Sequence, residues 1–293
     1  MAANTRDIRR RIKSVKNTAQ ITKAMQMVAA SKMRKAQQLA LDARPYSAAL
    51  RKMALALRSL GSDDTHPLLE TRPVAKELVL IVATDKGLCG ALNTNLLREA
   101  TKFEASKTIF VTLGRKASQW AGRSKRNLLA DFPLKDAPTF AETKTVSKFI
   151  VEKFLSGAVD RVTVLYTDFK NTLTQVPKAV QVLPVTSAID QLDVHDFADD
   201  TSITATSSDI LFEPNAFAFL ESLLPYSVHI AVFNAVLEAR ASEHSARMVA
   251  MKSATDNAKS LIKDLSLEYN KLRQASITTE LLEISTAQMV LGQ

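Results

Sequence analysis

The chain has 293 residues, 46% of them hydrophobic but only 6% aromatic, with a net charge of +9 and one cysteine. That length fits one large domain or two modest ones, and the apolar content allows a real core, so disorder is not the default. A lone cysteine, Cys89, cannot close an internal disulfide, which excludes a disulfide-stapled secreted scaffold.

The N-terminus, MAANTRDIRRRIKS, lacks the apolar core of a signal peptide. No uninterrupted run of about 18 apolar residues occurs, so no bilayer span is expected. The expectation is a soluble or peripheral protein in a reducing compartment. Residues 1–60 hold 14 Lys and Arg against 2 Asp, whereas residues 226–293 hold seven bases and seven acids. The positive charge therefore belongs to the first segment and asks for an anionic partner: nucleic acid, an anionic membrane or an acidic protein surface.

Residues 1–44 and 226–291 contain neither Gly nor Pro, while six of the seven glycines and eight of the nine prolines lie between Gly61 and Pro225. Breakers mark turns and their absence marks unbroken helix. The pattern predicts a helical domain over 1–60, an α/β domain over 61–212 and a second helical domain over 213–293, with Pro45 kinking or locally breaking the first helix. The last helix would run roughly 100 Å at about 1.5 Å per residue. Ile8, Ile12, Val15 and Ala19 are spaced 4, 3, 4, the coiled-coil period. A second seam is expected at Ala258, Leu261, Leu265, Leu272 and Ala275, interrupted by Glu268. Paired, the seams give a long antiparallel coiled coil, a shaft made from both chain ends. Residues 21–33, ITKAMQMVAASKM, and the terminal ELLEISTAQMVLGQ are apolar on nearly every side. They are expected at the shaft's tips, enclosed by something else, and Met and Ala suit a contact that slides or repacks.

In the middle, Glu77–Ala83 is an apolar run typical of a buried parallel strand. Further strands are expected at Thr108–Leu113, Arg161–Thr167 and Val176–Val182, with helices at 91–104, Arg115–Gly122 and Glu142–Leu155. Alternation of this kind predicts a parallel, Rossmann-like sheet. The turn Gly87-Leu88-Cys89-Gly90 follows a strand and precedes a helix, where phosphate loops sit. It matches neither GxxxxGK[ST] nor GxGxxG, so it reads as a tight turn with Asp85 and Lys86 facing a partner. Cys89 has none of His66, His195, His229 or His244 near it in sequence and reads as a structural thiol. Asp190, Asp193, Asp196, Asp199 and Asp200 lack calcium-loop spacing and read as a solvated loop. No metal or cofactor is expected. RDIRRRIKSVK fits a nucleic-acid arm by charge, but no aromatics are interleaved for base stacking.

Four stretches together carry a resemblance. DIRRRIKSVKNTAQITKAMQMVAASKMRKAQ resembles the start of the γ subunits of F-type ATP synthases, VATDKGLCGALNTNL their central loop, SEHSARMVAMKSATDNAKSLI their C-terminal shaft and ITTELLEIS their terminal signature. The resemblance implies a noncatalytic central-stalk rotor of a bacterial, proton-translocating enzyme, peripheral on the cytoplasmic side of the inner membrane. The implied partners are three α and three β subunits, ε and the membrane c-ring. It implies rotor–stator contacts at Met25, Asp85, Lys86, Cys89, Arg247, Gln274 and Thr278, and a c-ring contact at Phe212 and Glu213. Ala287 and Gln288 depart from the family's usual Gly-Ala pair, and no cysteine-bearing plastid insert is present. The remaining alternative is a basic helical nucleic-acid-binding or scaffold protein. Replacing Met25 with Lys is expected to place a charge in the bearing and to lower protons pumped per ATP hydrolysed more than it lowers assembly; an unchanged ratio would remove the bearing role.

Overall fold

The computed structural model describes residues 5–59, 66–133, 135–185 and 216–291. In chain order these are α1 (Thr5–Ser59), β1 (Glu77–Val82), α2 (Leu92–Thr101), β2 (Thr108–Leu113), α3 (Arg115–Arg123), β3 (Leu128–Phe132), α4 (Phe140–Leu155), β4 (Arg161–Phe169), β5 (Gln175–Leu183) and α5 (Ala216–Leu291). They form two units, Met1–Ala29 with Arg247–Gln293, and Ala30–Ala246.

In the second unit a five-stranded sheet has the order β3-β2-β1-β4-β5. β1 is central and pairs in parallel with β2 and β4. Its side chains alternate between two cores. Leu78, Leu80 and Val82 meet Val146, Ile150 and Phe154 of α4 and Leu224, Val228, Val232 and Val236 of α5. Val79, Ile81 and Ala83 meet Leu96 and Ala100 of α2 and Ala117 of α3. Burial on both faces is why β1 is a continuous apolar run.

Two features of the sheet depart from the sequence expectation. β3 is an additional parallel strand beside β2; every residue of its LLADF is at least partly exposed, so it carries no core-strand pattern. β5 pairs antiparallel with β4. Only residues 170–174 separate the two strands, too few for the crossover that a parallel neighbour needs.

The capping box at α4 explains that helix's start: the Glu142 N–H donates to Thr139 Oγ1, and the Glu142 carboxylate accepts from the Thr139 N–H. Neither Pro45 nor Pro225 ends its helix. Each removes a single backbone donor, and an aromatic cluster holds the neighbourhood. Tyr226 meets both Tyr46 and Phe140 edge-on at centroid distances of 6.1 and 5.8 Å. His229 of α5 lies 2.7 Å from the Ser147 hydroxyl of α4; burial, and then the charge of Lys144, hold its pKa below the ordinary histidine value. α5 contains an 18-residue window of mean hydropathy 1.2, half of it buried inside the fold.

In the first unit α1 and α5 pair antiparallel. The α1 seam begins as expected at Ile8, Ile12, Val15 and Ala19 and continues through Thr22, Gln26 and Ala29, all buried or half-buried. The α5 seam is Met251, Thr255, Ala258, Ile262, Leu265, Tyr269 and Leu272, spaced 4, 3, 4, 3, 4, 3. The expected seam was therefore out of phase in part. Leu261 is 47% exposed, Ala275 is exposed, and Glu268 points to solvent without interrupting anything. The two threonine hydroxyls, Thr22 and Thr255, are 2.8 Å apart. Counting antiparallel from that pair sets Ala19 opposite Ala258, Val15 opposite Ile262, Ile12 opposite Leu265 and Ile8 opposite Tyr269. Residues 21–29 thus lie within the paired stretch and not at a tip, although Ile21, Met27 and Val28 are each more than half exposed. The same count sets Thr5, the first described residue of α1, opposite Leu272, and residues 273–288 of α5 are exposed all round.

Gly114, between β2 and α3, has φ 96°, and a Cβ there would stand 2.3 Å from the Ala83 carbonyl oxygen. Gly114→Ala is expected to cost about 2 kcal/mol or more, read as a lower urea midpoint with an unchanged slope.

Candidate functional site

The expected contact residues fall into three groups. Asp85, Lys86 and Cys89 share the turn between β1 and α2 in the sheet-bearing unit. Met25, Arg247, Gln274 and Thr278 belong to the paired-helix unit. Phe212 and Glu213, like the aspartate cluster of 190–200, lie outside the described residues.

The turn is built from within. Thr84 Oγ1 donates to the Lys86 carbonyl at 2.7 Å, and Asn93 Nδ2 reaches both Thr84 Oγ1 at 2.8 Å and Cys89 Sγ at 3.2 Å. Cys89 is therefore a buried thiol inside the turn. Asp85 is half-buried, and its Oδ1 accepts from the Arg115 N–H at 3.0 Å. Lys86 and Leu88 are exposed. Leu88 has φ 63°, a left-handed conformation that costs a residue with a Cβ about 1–2 kcal/mol. An exposed leucine in that conformation marks this turn as a surface feature held in place by its surroundings.

Those surroundings include a charge cluster that the sequence did not disclose. Arg240 and Glu243 of α5 are nearly fully buried and paired with each other. Arg240 Nη2 also donates to the Lys135 carbonyl at 2.5 Å and lies 3.7 Å from Asp85 Oδ2. Beside them, Lys32 of α1 donates to Asp136 at 2.6 Å. That bond, more than the charges of Lys32, Lys86 and Arg240, holds the Asp136 carboxyl below its ordinary range against the opposing effect of burial. Both partners of the Lys32–Asp136 pair are substantially exposed, so it contributes little to stability. Next along α5, Ser242 and Ser245 donate to the carbonyls of Thr167 and Thr172, each at 2.9 Å, tying the end of β4 and the following loop to the helix. The signal for Arg240 in the sequence was only its spacing from Glu243, three residues on; its other partners are remote in sequence.

In the paired-helix unit, Met25 and Arg247 are half-buried, and Gln274 and Thr278 are exposed. Gln274 and Thr278 are one turn apart on the unpaired end of α5, where Thr278 Oγ1 donates to the Gln274 carbonyl at 2.9 Å. Ile277, Leu281 and Ile284, at i, i+4 and i+7, form an exposed apolar stripe beside them, with Leu282 alongside. Among the described residues, no group of three or more His, Cys, Asp or Glu is placed to hold a metal ion. The geometry offers a knob-like turn and a bare amphipathic helix end, both suited to contact with another protein.

The sequence profile described as ATP synthase matches residues 4–291. The chain is 49% identical over 298 residues to the ATP synthase gamma chain of Methylacidiphilum infernorum (isolate V4), covering 99% of this chain and 100% of that one. It is 48% identical over 289 residues to the ATP synthase gamma chain of Opitutus terrae, covering 98% of each. Its fold is similar to a chain of the Euglena gracilis mitochondrial ATP synthase rotor (TM-score 0.67, 24% identity, 94% of this chain and 100% of that one). It is also similar to a chain of the OSCP/F1/c-ring assembly of the same enzyme (TM-score 0.69, 23% identity, 99% and 95%).

Removing the close carboxylate by Glu243→Ala leaves the buried Arg240 charge with the more distant Asp85 carboxylate at 3.7 Å and is expected to cost about 3 kcal/mol. The double replacement Arg240→Met with Glu243→Met, which leaves neither charge behind, is expected to recover most of that loss in urea denaturation.

Proposed function

Because the chain belongs to the ATP synthase gamma chain family, we propose that it works as the central-stalk rotor of a bacterial, proton-translocating ATP synthase. It is a noncatalytic subunit of a membrane-bound complex. In this role it turns within a head of three α and three β subunits, joins the membrane c-ring and packs with ε, one copy per complex. It is peripheral to the inner membrane on the cytoplasmic side. The observation that carries the reading is the antiparallel α1–α5 pair, joined at Thr22 and Thr255 and continued by an unpaired helix end with an exposed apolar stripe.

The mechanism follows from what each surface can do. A rotor must pass torque, which asks for unbroken helix, and α1 and α5 supply it from both chain ends, free of Gly and Pro over residues 5–44 and 226–291. Its end must turn without locking. The stripe of Ile277, Leu281 and Ile284 offers non-directional apolar contact, which an apolar sleeve accepts at many angles. A few polar catches then bias the angle. Met25, Arg247, Gln274 and Thr278 on the paired helices, with Asp85, Lys86 and Cys89 on the turn, are the proposed rotor–stator contacts; exposure of Lys86, Gln274 and Thr278 supports three of them. Phe212 and Glu213 are the proposed c-ring contact. Asymmetric contact with each β subunit in turn would open or close its nucleotide site. The basic face of α1 suits acidic groups on the surrounding head. Membership over nearly the whole chain leaves the nucleic-acid-arm alternative without support.

The test is reconstitution. Complex containing the chain, placed in lipid vesicles, is expected to acidify them when ATP is added. The head without the chain is expected to be unable to do so. The chain is also expected to stay with α and β subunits at moderate salt, since apolar burial and not phosphate-type ion pairing holds it. Release from α and β by salt alone, with no acidification, would overturn the proposal.

A further inference from the structure

Arg240 is buried to 97% of its side chain, with 3% exposed, and so has almost no surface to offer a partner subunit. Yet it does more than neutralise Glu243. Its Nη2 reaches off the helix to the Lys135 carbonyl at 2.5 Å and towards Asp85 Oδ2 at 3.7 Å. A guanidinium is a rigid planar fork, so meeting Glu243, Lys135 and Asp85 together fixes its plane and theirs. Asp85 is bracketed as a result, with the Arg115 N–H on one oxygen and Arg240 facing the other. The turn that Asp85 opens needs such bracing. Leu88 stands at φ 63° while 61% exposed, so its own packing cannot hold a conformation that L residues avoid.

We propose that Arg240 is a positioning residue for the turn from Thr84 to Gly90: by gripping Asp85 and the Lys135 carbonyl from beneath, it fixes the angle at which Lys86 and Leu88 meet a partner subunit. The inference rests on the turn being a rotor contact. A purely structural role would be filled by the Arg240–Glu243 pair alone, which lies within one helix and needs neither of the other two contacts. Replacing that pair with two methionines keeps apolar volume and strands no charge between them, while removing the grip on the turn.

The single cysteine supplies the readout. Cys89 is buried at 2% exposure inside the same turn, with Asn93 Nδ2 on its sulfur, so its alkylation by N-ethylmaleimide reports loosening of the turn. The measurement is made on the full assembled complex, with the modified peptide located by mass. The variant carrying Arg240→Met and Glu243→Met is expected to keep its place in the complex and to alkylate at Cys89 about ten-fold faster, as local opening becomes easier. It is also expected to pump fewer protons per ATP hydrolysed. Arg240→Lys, which keeps a charge for Asp85 but not the fork, is expected to fall between, and it carries the test if the double variant fails to assemble. Alkylation at the unaltered rate, or faster alkylation with an unchanged pumping ratio, would overturn the proposal. The unaltered complex is measured first: if it hydrolyses ATP without pumping, the rotor reading fails, and this inference with it, before any variant is compared.

Discussion

The paired-helix unit depends on one contact, the hydroxyl pair of Thr22 and Thr255 at 2.8 Å. Apolar seams alone specify register weakly, because Ile, Val, Leu and Ala are near-equivalent partners. Two hydroxyls inside such a seam are different. In register they satisfy each other, and Thr255 Oγ1 also reaches the Met251 carbonyl at 2.8 Å. Slipped by one heptad, each hydroxyl would face an apolar side chain and keep only its bond to its own helix, Thr22 to the Ala19 carbonyl and Thr255 to the Met251 carbonyl. The slip therefore forfeits the one cross-helix bond, about 1 kcal/mol. That difference, about five-fold in population, favours one alignment among several that hydrophobic burial alone would leave competing.

α5 changes its surface along its length, and each change matches what lies against it. From Leu223 to Ala239 it presents apolar side chains to the sheet. From Arg240 to Ser245 it is buried and polar, and its side chains bond across to the carbonyls of Lys135, Thr167 and Thr172. From Met251 to Leu272 it is a coiled-coil seam, and over residues 273–288 it is exposed. Directional bonds follow the non-directional apolar stretch, so sliding and twisting of the helix on the sheet are resisted where apolar packing resists them least.

Much of this was legible. β1, β2 and β4 are buried runs, and burial on both faces leaves a plain signature. The absence of Gly and Pro over residues 1–44 and 226–291 marks the greater part of both long helices, although each runs on through one proline, Pro45 or Pro225; the first seam is readable from Ile8 to Ala19. What was not legible has physical causes. Leu261 and Ile262 are adjacent apolar residues, and periodicity alone does not choose between them; the phase is set by Thr255 and Tyr269, which a search for apolar residues passes over. β3 lies at the sheet's edge with its LLADF only half-covered, so it lacks the pattern of a core strand. The direction of β5 is implicit in the five-residue link before it, but the strand–helix alternation upstream points to a parallel strand. Arg240 looks like any helical base beside an acid until the fold brings Asp85 and Lys135 to it.

The bare end of α5 also bears on the chain's life before assembly. Its row of Ile277, Leu281 and Ile284 has no cover among the described residues, and the described part of α1 begins opposite Leu272. A newly synthesised copy waiting for its neighbours therefore displays a sticky stripe that folding by itself does not hide. Surplus copies would be drawn toward self-association or proteolysis. Matched production of all the subunits is thus a solubility requirement written into residues 277–284.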